Sequence, residues 1–390
     1  MDKENLDKLK ELLSGNKAGG TMDIVWGEDL RFKEIKPNIA IILGVSGQDG
    51  QYLTELLLSK GYHVVGVARR SSQPRKHLDP LIEKGLELVE GDITDPNSMN
   101  SLFQKYCPTL AFNLAAMSHV HTSFNSPLST FEIDTIGVVN ILEAIKNHSK
   151  HTRLYHASTS ELFGSSVSNL AERSPWCEPT CEEYETKFQD EGTPFSPNSP
   201  YAIAKLAAHH MVRLYRESYG LFVCSGILFN HSSERRGENF LTRKISKYIG
   251  KLQFAINSIT HGADLWVKET FPKLKLGNID SFRDEMHAED AVRAMVMMLE
   301  AKEAKDYVVG SGKTHSGREF CELAFNEIGL DYKDWIEIDP NLFRPAEVDY
   351  LCSLPTNIKE ELGWEITVPY KELVKRMVNN DIELAKKESV

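Results

Sequence analysis

The chain contains a hydroxyl, a carboxylate, a phenol and an ammonium group whose spacing suits hydride and proton transfer. The first two come from Thr159-Ser160-Glu161, at the end of a short apolar segment, and the others from Tyr201 and Lys205. Two residues four positions apart on a helix lie on one face. The Lys205 ammonium is therefore predicted to lower the pKa of the Tyr201 phenol, so that Tyr201 can accept a proton near neutral pH. Because this Tyr–Lys spacing is common by chance, the prediction depends on the rest of the set.

A glycine-rich segment precedes these residues. It reads Gly44-Val45-Ser46-Gly47-Gln48-Asp49-Gly50 and joins an apolar segment to a helical pattern. Glycines at such a turn let the backbone approach a pyrophosphate, which binds the N–H groups at the start of the helix. The context favours a dinucleotide-binding turn over a purely structural one. The cofactor-binding residues predicted here are Gly44, Ser46, Gly47, Gln48, Asp49 and Gly50.

The end of the second predicted strand indicates which dinucleotide binds. Proteins that bind NAD usually carry Asp or Glu there, for the ribose 2′-hydroxyl. Here the strand ends in Arg69 and Arg70, whose charges suit a 2′-phosphate, so NADP is the predicted cofactor. A solvated basic turn is the alternative. Further cofactor contacts are predicted after the third and fourth strands, at Asp92, Ile93, Ala115 and Ala116.

Alternating strands and helices are predicted to position these residues. Apolar strand patterns occupy residues 39–43, 63–68, 86–89, 110–114 and 153–157. Helical patterns separate them, most clearly near 96–106 and 126–147. Such alternation indicates parallel strands joined by right-handed crossovers. We therefore predict an α/β fold with a Rossmann-type doubly wound parallel sheet and a smaller C-terminal α/β lobe for the substrate.

The predicted organisation has three parts. Residues 1–37 form an N-terminal extension with leucines at helical spacing, which we expect to be a loosely docked tail rather than a lid or an oligomer contact. Residues 38–230 form mainly the NADP-binding domain and residues 231–390 mainly the substrate lobe, with the two interleaved. The stretches 172–192 and 257–271 are predicted surface insertions.

The composition is that of an ordinary globular protein. The chain has 390 residues, 41% hydrophobic and 26% charged, and its net charge of −11 argues against nucleic-acid binding. We expect a cytoplasmic protein, because the sequence has neither a signal-peptide pattern nor an apolar run long enough to cross a membrane. Cys177 and Cys181 lie close together without a second ligand pair nearby, so no metal is predicted.

Taken together, these segments give the chain a resemblance to a known family. It resembles the extended short-chain dehydrogenase/reductase superfamily and, within it, the GDP-mannose 4,6-dehydratase family, over residues 38–385. The glycine segment and the Tyr–Lys pair are shared by the whole superfamily, whereas residues 226–245 and 343–349 are specific to the family. Other matching segments are Arg69-Arg70-Ser71-Ser72, Ser118-His119-Val120, Ser158-Thr159-Ser160-Glu161-Leu162, Ser199-Pro200-Tyr201 and Arg283-Asp284.

The resemblance implies an intramolecular redox reaction on a GDP-sugar. The C4 hydroxyl would lose its proton to Tyr201 and its hydride to NADP⁺. Glu161 would then remove the C5 proton and help expel the C6 hydroxyl as water, before the hydride returns to C6. The product is a 4-keto-6-deoxy sugar nucleotide. Thr159 would hydrogen-bond the C4 oxygen, Lys205 would hold the nicotinamide ribose, and Ser160 would assist.

The resemblance also implies which residues hold the two ligands. A diphosphate needs cations, and guanidinium groups match phosphate oxygens well. The implied substrate-binding residues are Asn230, Asn239, Arg243, Lys244, Arg283, Arg344 and Glu347. The implied cofactor contacts beyond the glycine turn are Ser118, His231 and Arg236, with Tyr201 and Lys205. We also expect copies of the chain to form a homo-oligomer, either a dimer or a tetramer.

Some segments depart from the family pattern and leave the substrate open. Glu285 and Met286 stand where relatives typically carry Trp and a small residue, the two insertions are longer, and the loop after Arg69 is shorter. Another GDP-hexose or a GDP-heptose is therefore an alternative substrate. A second possible enzymatic activity is that of a related keto-sugar reductase or epimerase, which would not need Glu161. A catalytically silent NADP-binding module is the third alternative.

Overall fold

The computed structural model describes residues 38–70, 75–169, 187–258, 270–343 and 345–388, which all belong to one compact unit. The predictions for residues 1–37, for Cys177 and Cys181, for Arg344 and for most of both insertions lie outside these ranges. Within the described ranges, no helix combines the length and the hydrophobicity needed to cross a membrane.

Strands and helices alternate along the first part of the chain, as the sequence predicts. The strands are β1 (Ile39–Leu43), β2 (His63–Ala68), β3 (Glu87–Glu90), β4 (Leu110–Asn113), β5 (Arg153–Ala157), β6 (Ser168–Asn169), β7 (Lys187–Phe188), β8 (Val223–Leu228), β9 (Asn230–Ser232), β10 (Leu274–Leu276), β11 (Phe282–His287), β12 (Tyr307–Val309), β13 (Thr314–Ser316), β14 (Ile336–Ile338) and β15 (Tyr350–Leu351). The α-helices are α1 (Gln48–Ser59), α2 (Asp79–Glu83), α3 (Pro96–Tyr106), α4 (Val120–Asn125), α5 (Pro127–Phe131), α6 (Gly137–His148), α7 (Pro200–Tyr219), α8 (Leu241–Ser258), α9 (Ala288–Glu300), α10 (Gly317–Asn326), α11 (Thr356–Leu362) and α12 (Tyr370–Glu388).

A seven-stranded sheet forms the centre of the molecule. Its strand order is β12-β8-β5-β4-β1-β2-β3, and every pairing is parallel. The order reverses between β1 and β4, and ligands of open α/β sheets bind at the carboxyl ends of the strands at such a point. The predicted Rossmann-type fold is confirmed.

Helices cover both faces of this sheet. On one face α1 packs against α9, with Leu53, Leu57 and Met295 in the core; on the other, α3, α6 and α7 enclose Phe103 and Ile141. These apolar side chains are buried, which fixes the helices against the strands. Strand β12 belongs to this sheet and α9 packs on one of its faces, although both come from the second half of the chain.

A smaller lobe lies next to the carboxyl ends of the sheet strands. In it β11 pairs with β9, β13 and β15, while β10 pairs with β14. Its core is formed where α8 packs against α12 and α10, around Ile249, Phe320, Phe325 and Met377. Since β9 begins two residues after β8 ends, this strand connects the main sheet directly to the lobe.

The helical pattern predicted at 126–147 contains a distortion. The structure has α5, then a π-helical turn at Glu132–Ile136, then α6. Such turns are rare and often occur at functional sites. This one contains Asp134 and Thr135, both buried, and it packs against α7.

Candidate active site

The glycine turn has the geometry of a phosphate-binding turn. Gly44 has φ +88°, and a Cβ on it would lie 2.8 Å from the Ala115 backbone nitrogen. A Cβ on Gly50 would lie 2.6 Å from Val45, so this glycine lets α1 approach the end of β1. Gly47 is exposed at the start of α1. The three glycines thus provide the tight turn, the close helix packing and an accessible backbone for a pyrophosphate.

A cavity of about 610 Å³ lies at the carboxyl ends of β1, β4, β5 and β8 and extends into the smaller lobe. It brings together most of the residues that the sequence singled out. Those in its wall are Gly44, Ser46, Gly47, Gln48, Asp49, Gly50, Ala116, Ser118, Thr159, Glu161, Tyr201, Lys205, Asn230, His231, Arg236, Asn239, Lys244, Arg283 and Glu347.

The start of α7 places Tyr201 in this cavity. Ser199 caps the helix by accepting from the Ala202 N–H at 3.1 Å, and Pro200 occupies the first turn. The Ser123 hydroxyl accepts from the Tyr201 N–H at 3.2 Å. These bonds hold the start of α7 against α4, and Tyr201 lines the cavity from there.

Lys205 does not act on Tyr201 in the predicted way. Its Nζ donates to the Ala157 carbonyl oxygen at 2.9 Å. Burial lowers the pKa of Lys205, and the Asp134 carboxylate opposes this shift. Burial also raises the pKa of Asp134, which accepts from the Met117 N–H at 2.7 Å. The Lys205 ammonium thus lies between a strand-end carbonyl and a buried acid.

The pKa of Tyr201 is raised rather than lowered, so that prediction is wrong. Burial is the largest cause, and the carboxylates of Asp134 and Glu161 add to it. A hydrogen bond from Thr159 and the charge of Arg236 act in the opposite direction. Sequence reasoning missed Asp134, although an acid inside an apolar helical segment is a usable signal.

The turn after β5 supplies the hydroxyl and the carboxylate. Thr159 caps a 3₁₀ turn at Ser160–Phe163 and accepts from the Glu161 N–H at 3.2 Å. Thr159 and Glu161 line the cavity. Ser160 is 1% exposed and is not part of the cavity wall, which corrects its predicted catalytic role. Ser158 lines the cavity instead, and its buried hydroxyl has no hydrogen-bond partner among the described residues.

Asp49 forms a buried ion pair beside the glycine turn. Its Oδ2 lies 2.8 Å from His231 Nε2, and Gln48 donates to its Oδ1 at 3.0 Å. Burial alone would raise the pKa of Asp49, but the charge and hydrogen bond of His231 lower it overall. The pKa of His231 is correspondingly raised against the effect of its burial. The pair connects α1 to β9 in the cavity wall.

A second cleft, of about 670 Å³, opens beside the glycine turn at the ends of β2 and β3. Arg69, Arg70 and Arg75 line it together with Glu90 and Asp92. Arg75 donates to the Arg69 carbonyl oxygen. The sequence identified the first two arginines, whereas Arg75 follows the undescribed residues 71–74 and was missed.

Two predicted cofactor contacts lie elsewhere. Ile93 is 5% exposed and packs in the core against Gly137 and the helices behind the sheet. Ala115 supplies the backbone against which Gly44 turns, and only the next residue, Ala116, reaches the cavity. Neither side chain is in the wall of the cavity or the cleft, because apolar packing and the tight turn occupy them.

The lobe contributes the other end of the cavity, where Lys244, Arg283 and Glu347 lie. Arg243, a predicted substrate ligand, is 7% exposed, and its Nη1 lies 2.9 Å from Asp381 Oδ1 on α12. Consecutive helical residues point about 100° apart, so Lys244 reaches the cavity while Arg243 points into the lobe. We therefore correct Arg243 from a ligand to a structural residue.

The wall combines groups suited to two tasks. Thr159, Glu161 and Tyr201 can exchange protons with a bound molecule at one end, while Lys244 and Arg283 can neutralise phosphate oxygens at the other. Together with the glycine turn, this arrangement suits hydride transfer to or from an anionic substrate.

Several solved structures share this fold. The dTDP-glucose 4,6-dehydratase DesIV of Streptomyces venezuelae, with NAD bound, has a TM-score of 0.71 at 20% identity, covering 88% of this chain and 97% of its own. RMD from Pseudomonas aeruginosa, complexed with NADPH, has a TM-score of 0.66 at 20% identity, covering 89% and 99%. The fold, the glycine turn and the arrangement of Thr159, Tyr201 and Lys205 assign this chain to the extended short-chain dehydrogenases/reductases.

Sequence similarity narrows this class. A model of the family described as GDP-mannose 4,6 dehydratase matches residues 41–377. GDP-mannose 4,6 dehydratase 1 of Arabidopsis thaliana is 42% identical, covering 91% of this chain and 93% of its own. The chain belongs to the GDP-mannose 4,6-dehydratase family, which confirms the resemblance seen in the sequence.

Proposed function

We propose that this protein is a hydro-lyase that converts GDP-mannose to GDP-4-keto-6-deoxymannose with tightly held NADP. The observation that carries the proposal is the meeting of Thr159, Glu161 and Tyr201 at one end of a single cavity whose other end carries cations. A simple reductase needs the phenol and the hydroxyl but has no use for a carboxylate that removes a C5 proton. Glu161 is therefore the residue that favours dehydration.

The residues present fit a nicotinamide dinucleotide. Gly47 leaves the start of α1 open to a pyrophosphate, and the unpartnered Ser158 hydroxyl and Lys205 lie further along the same wall. When bound, the oxidised nicotinamide supplies a positive ring that favours the Tyr201 phenolate, accepts the hydride from C4 and returns it to C6. Arg69 and Arg70 suit the 2′-phosphate that distinguishes NADP from NAD.

Tyr201 is the base for the C4 hydroxyl in this proposal. Thr159 already hydrogen-bonds the phenol, and it is placed to hold the C4 oxygen beside it. Lys205, held by Ala157, keeps a positive charge behind the phenol while the proton moves. The three side chains thus take up and return one proton in each turnover.

Glu161 performs the step that sets this reaction apart. A ketone at C4 acidifies the C5 hydrogen, and the Glu161 carboxylate takes that proton. The same proton then protonates the departing C6 hydroxyl, so that one water leaves and Glu161 is ionised again. The substrate diphosphate binds Arg283 and Lys244, with Glu347, Asn230 and Asn239 as the neighbouring contacts.

A substrate screen tests the proposal. Purified protein is incubated with GDP-, UDP-, dTDP- and CDP-hexoses and a GDP-heptose, and the products are weighed by mass spectrometry. We expect GDP-mannose to lose one water without net change in nicotinamide absorbance. Dehydration of another sugar nucleotide would reassign the substrate, and stoichiometric consumption of NADPH would replace the dehydratase with a reductase. Tight NADP binding without turnover of any sugar nucleotide would instead support the alternative of a catalytically silent NADP-binding module.

The cofactor is tested separately at the cleft. Replacing Arg70 with Ala should weaken NADP by about tenfold, the scale of a charged hydrogen bond, and leave NAD nearly unchanged. The affinities are measured by fluorescence titration of the protein freed of nucleotide. Equal losses for both cofactors, or a preference of the unaltered protein for NAD, would contradict the choice of NADP.

We also propose that copies of the chain associate. Leu128, Phe131, Ile136, Ile203 and Leu214 are large apolar residues that are 41–86% exposed on α5, the π-helical turn and α7. These three elements pack against one another, and exposed apolar residues on neighbouring elements favour contact with another protein surface; a second copy is the partner expected from the family. Light scattering should give a dimer or tetramer, and Leu128→Glu should shift it towards a monomer. A monomeric unaltered protein would exclude this. The cytoplasmic location stays a prediction.

A further inference from the structure

A buried acid lies on the cavity wall between its two ends. Along β11, Arg283 and Glu285 point towards the cavity, while Asp284 and Met286 point away from it. The Asp284 carboxylate accepts from the Ser353 hydroxyl, and Met286 belongs to the core. Glu285 is only 8% exposed. The strand alternation therefore directs its carboxyl into the space that a ligand would fill.

Polar and charged groups surround this carboxyl on several sides. The Ser232 hydroxyl hydrogen-bonds it, and Arg236, His231 and His315 exert favourable charge effects on it. They come from β9, the loop after β9, and β13. A buried carboxyl is costly unless its hydrogen bonds are satisfied, and this one faces the cavity, where a bound ligand can supply a further partner.

Its position relative to the reacting groups indicates which part of a substrate it meets. Arg236 lies near both Glu285 and Tyr201, since its charge interacts with each of them. On the other side, Arg283 stands two residues away on the same strand face. Asn230, the register partner of Glu285 across β9 and β11, also lines the cavity. Between a sugar carbon at Tyr201 and a diphosphate at Arg283 lies the rest of the hexose ring.

We propose that Glu285 is a specificity-determining residue, which hydrogen-bonds a hydroxyl group of the hexose in the bound GDP-sugar. The inference rests on the proposed function, because it takes the sugar to react at Tyr201. It assigns Glu285 to the hexose rather than to the guanine or the diphosphate.

The chemistry of the site suits this assignment. Burial raises the pKa of Glu285, although Ser232, Arg236, His231 and His315 oppose the shift; the Tyr370 phenol also faces it, from α12. A carboxyl that keeps its proton can donate to a sugar oxygen and does not repel a diphosphate nearby. An ionised carboxylate would do the opposite, so binding of the sugar nucleotide should favour the protonated form.

Binding without turnover tests the proposal. In a Tyr201→Phe background, which blocks oxidation at C4, the protein loaded with NADP is titrated calorimetrically with GDP-mannose and with GDP. Adding Glu285→Ala should weaken GDP-mannose about tenfold or more, the cost of an unmade buried hydrogen bond, and change GDP by less than about twofold. Glu285→Gln, which keeps a donor and an acceptor, should bind both ligands nearly as the parent does. Glu217→Gln, an exposed acid on α7, is the matched control.

The outcomes separate the alternatives. Equal losses for GDP and GDP-mannose would place Glu285 at the diphosphate, and unchanged binding of both would leave it structural; either result overturns the proposal. If Glu285→Ala does not fold, the pH dependence of binding decides: the affinity of the parent for GDP-mannose, but not for GDP, should fall as the pH rises, and that of Glu285→Gln should not. A parent that binds GDP but not GDP-mannose would instead refute the proposed substrate.

Discussion

The two ends of the cavity are built by different kinds of structure. At the reacting end, Thr159 and Glu161 follow one strand of the parallel sheet, and Tyr201 and Lys205 share the first turns of one helix. At the nucleotide end, the lining residues come from separate segments of the smaller lobe that meet only in the folded chain. The first end is set by local geometry on a rigid sheet, and the second by tertiary packing.

The electrostatics of the two ends differ as well. Burial changes the pKa of Tyr201, Lys205 and Asp134 at the reacting end, where charges are few and enclosed. Lys244 is exposed at the other end, where its charge can reach a diphosphate. Substitutions at the reacting end should therefore alter the catalytic rate and its pH dependence, whereas substitutions at the nucleotide end should alter the affinity for the substrate or the stability of the fold.

The largest expected effect comes from Glu161→Gln. The substitution keeps the shape of the side chain but removes the base for the C5 proton, so kcat should fall by about 10²–10⁴-fold. Oxidation at C4 does not need Glu161. A single-turnover experiment with GDP-mannose should therefore still show reduced nicotinamide, which then persists because the next step is blocked.

Tyr201→Phe is the control for this prediction, since it removes the base for the first step. We expect neither product nor reduced nicotinamide from that variant. If Glu161→Gln dehydrates GDP-mannose at nearly the original rate, the role assigned to Glu161 is wrong. A reductase or an epimerase would then be the better interpretation of the site.

The next effect should distinguish two neighbouring residues at the lobe. Arg243→Gln leaves the Asp381 carboxylate buried without its cationic partner, and loss of one member of a buried ion pair costs about 3–5 kcal/mol. The free energy of unfolding in urea should fall by that amount, with little change in KM for the folded fraction. Lys244→Gln should instead raise KM several-fold at unchanged stability, since it removes one phosphate contact.

A raised KM with intact stability for Arg243→Gln would show that Arg243 is a ligand after all. The comparison also shows what sequence can resolve. Arg243 and Lys244 were both expected to bind the diphosphate, and only the phase of α8 separates them. That phase depends on packing against α12, which begins over 100 residues later.

Sequence patterns predicted the sheet better than the lobe for the same reason. The strand at 39–43 and the helix at 96–106 have the bounds expected from apolar periodicity, because each is covered on a defined face. The exchange of Ser160 for Ser158 as the cavity hydroxyl depends on how one turn closes after β5. The position of Asp134 depends on a π-helical turn, which the helical periodicity of the sequence does not predict.

Asp134→Asn tests whether the buried acid tunes the reacting end. Its carboxylate raises the pKa of Tyr201 and supports the charge of Lys205. Removing it should lower both pKa values, so the acidic limb of the kcat/KM profile should move to lower pH, by roughly half a unit to one unit for a nearby charge. KM should change little, and an unmoved profile with reduced stability would mean that Asp134 serves only the fold.

The smallest effect concerns the Asp49–His231 pair, which joins the two halves of the cavity wall. The pKa of His231 is raised in the fold, so its stabilisation is complete below the unfolded value of about 6.5 and is lost as the pH rises through the folded value. The pKa of Asp49 is lowered, so its contribution to stability is present above about pH 4 and is lost only in stronger acid.

The unfolding free energy of the unaltered protein should therefore drop between pH 6 and 9 by on the order of 1 kcal/mol more than that of His231→Gln, as for a charged hydrogen bond partly offset by burial. Urea titrations at both pH values measure this difference, and parallel pH slopes for the two proteins would mean that the pair does not couple α1 to β9 through charge.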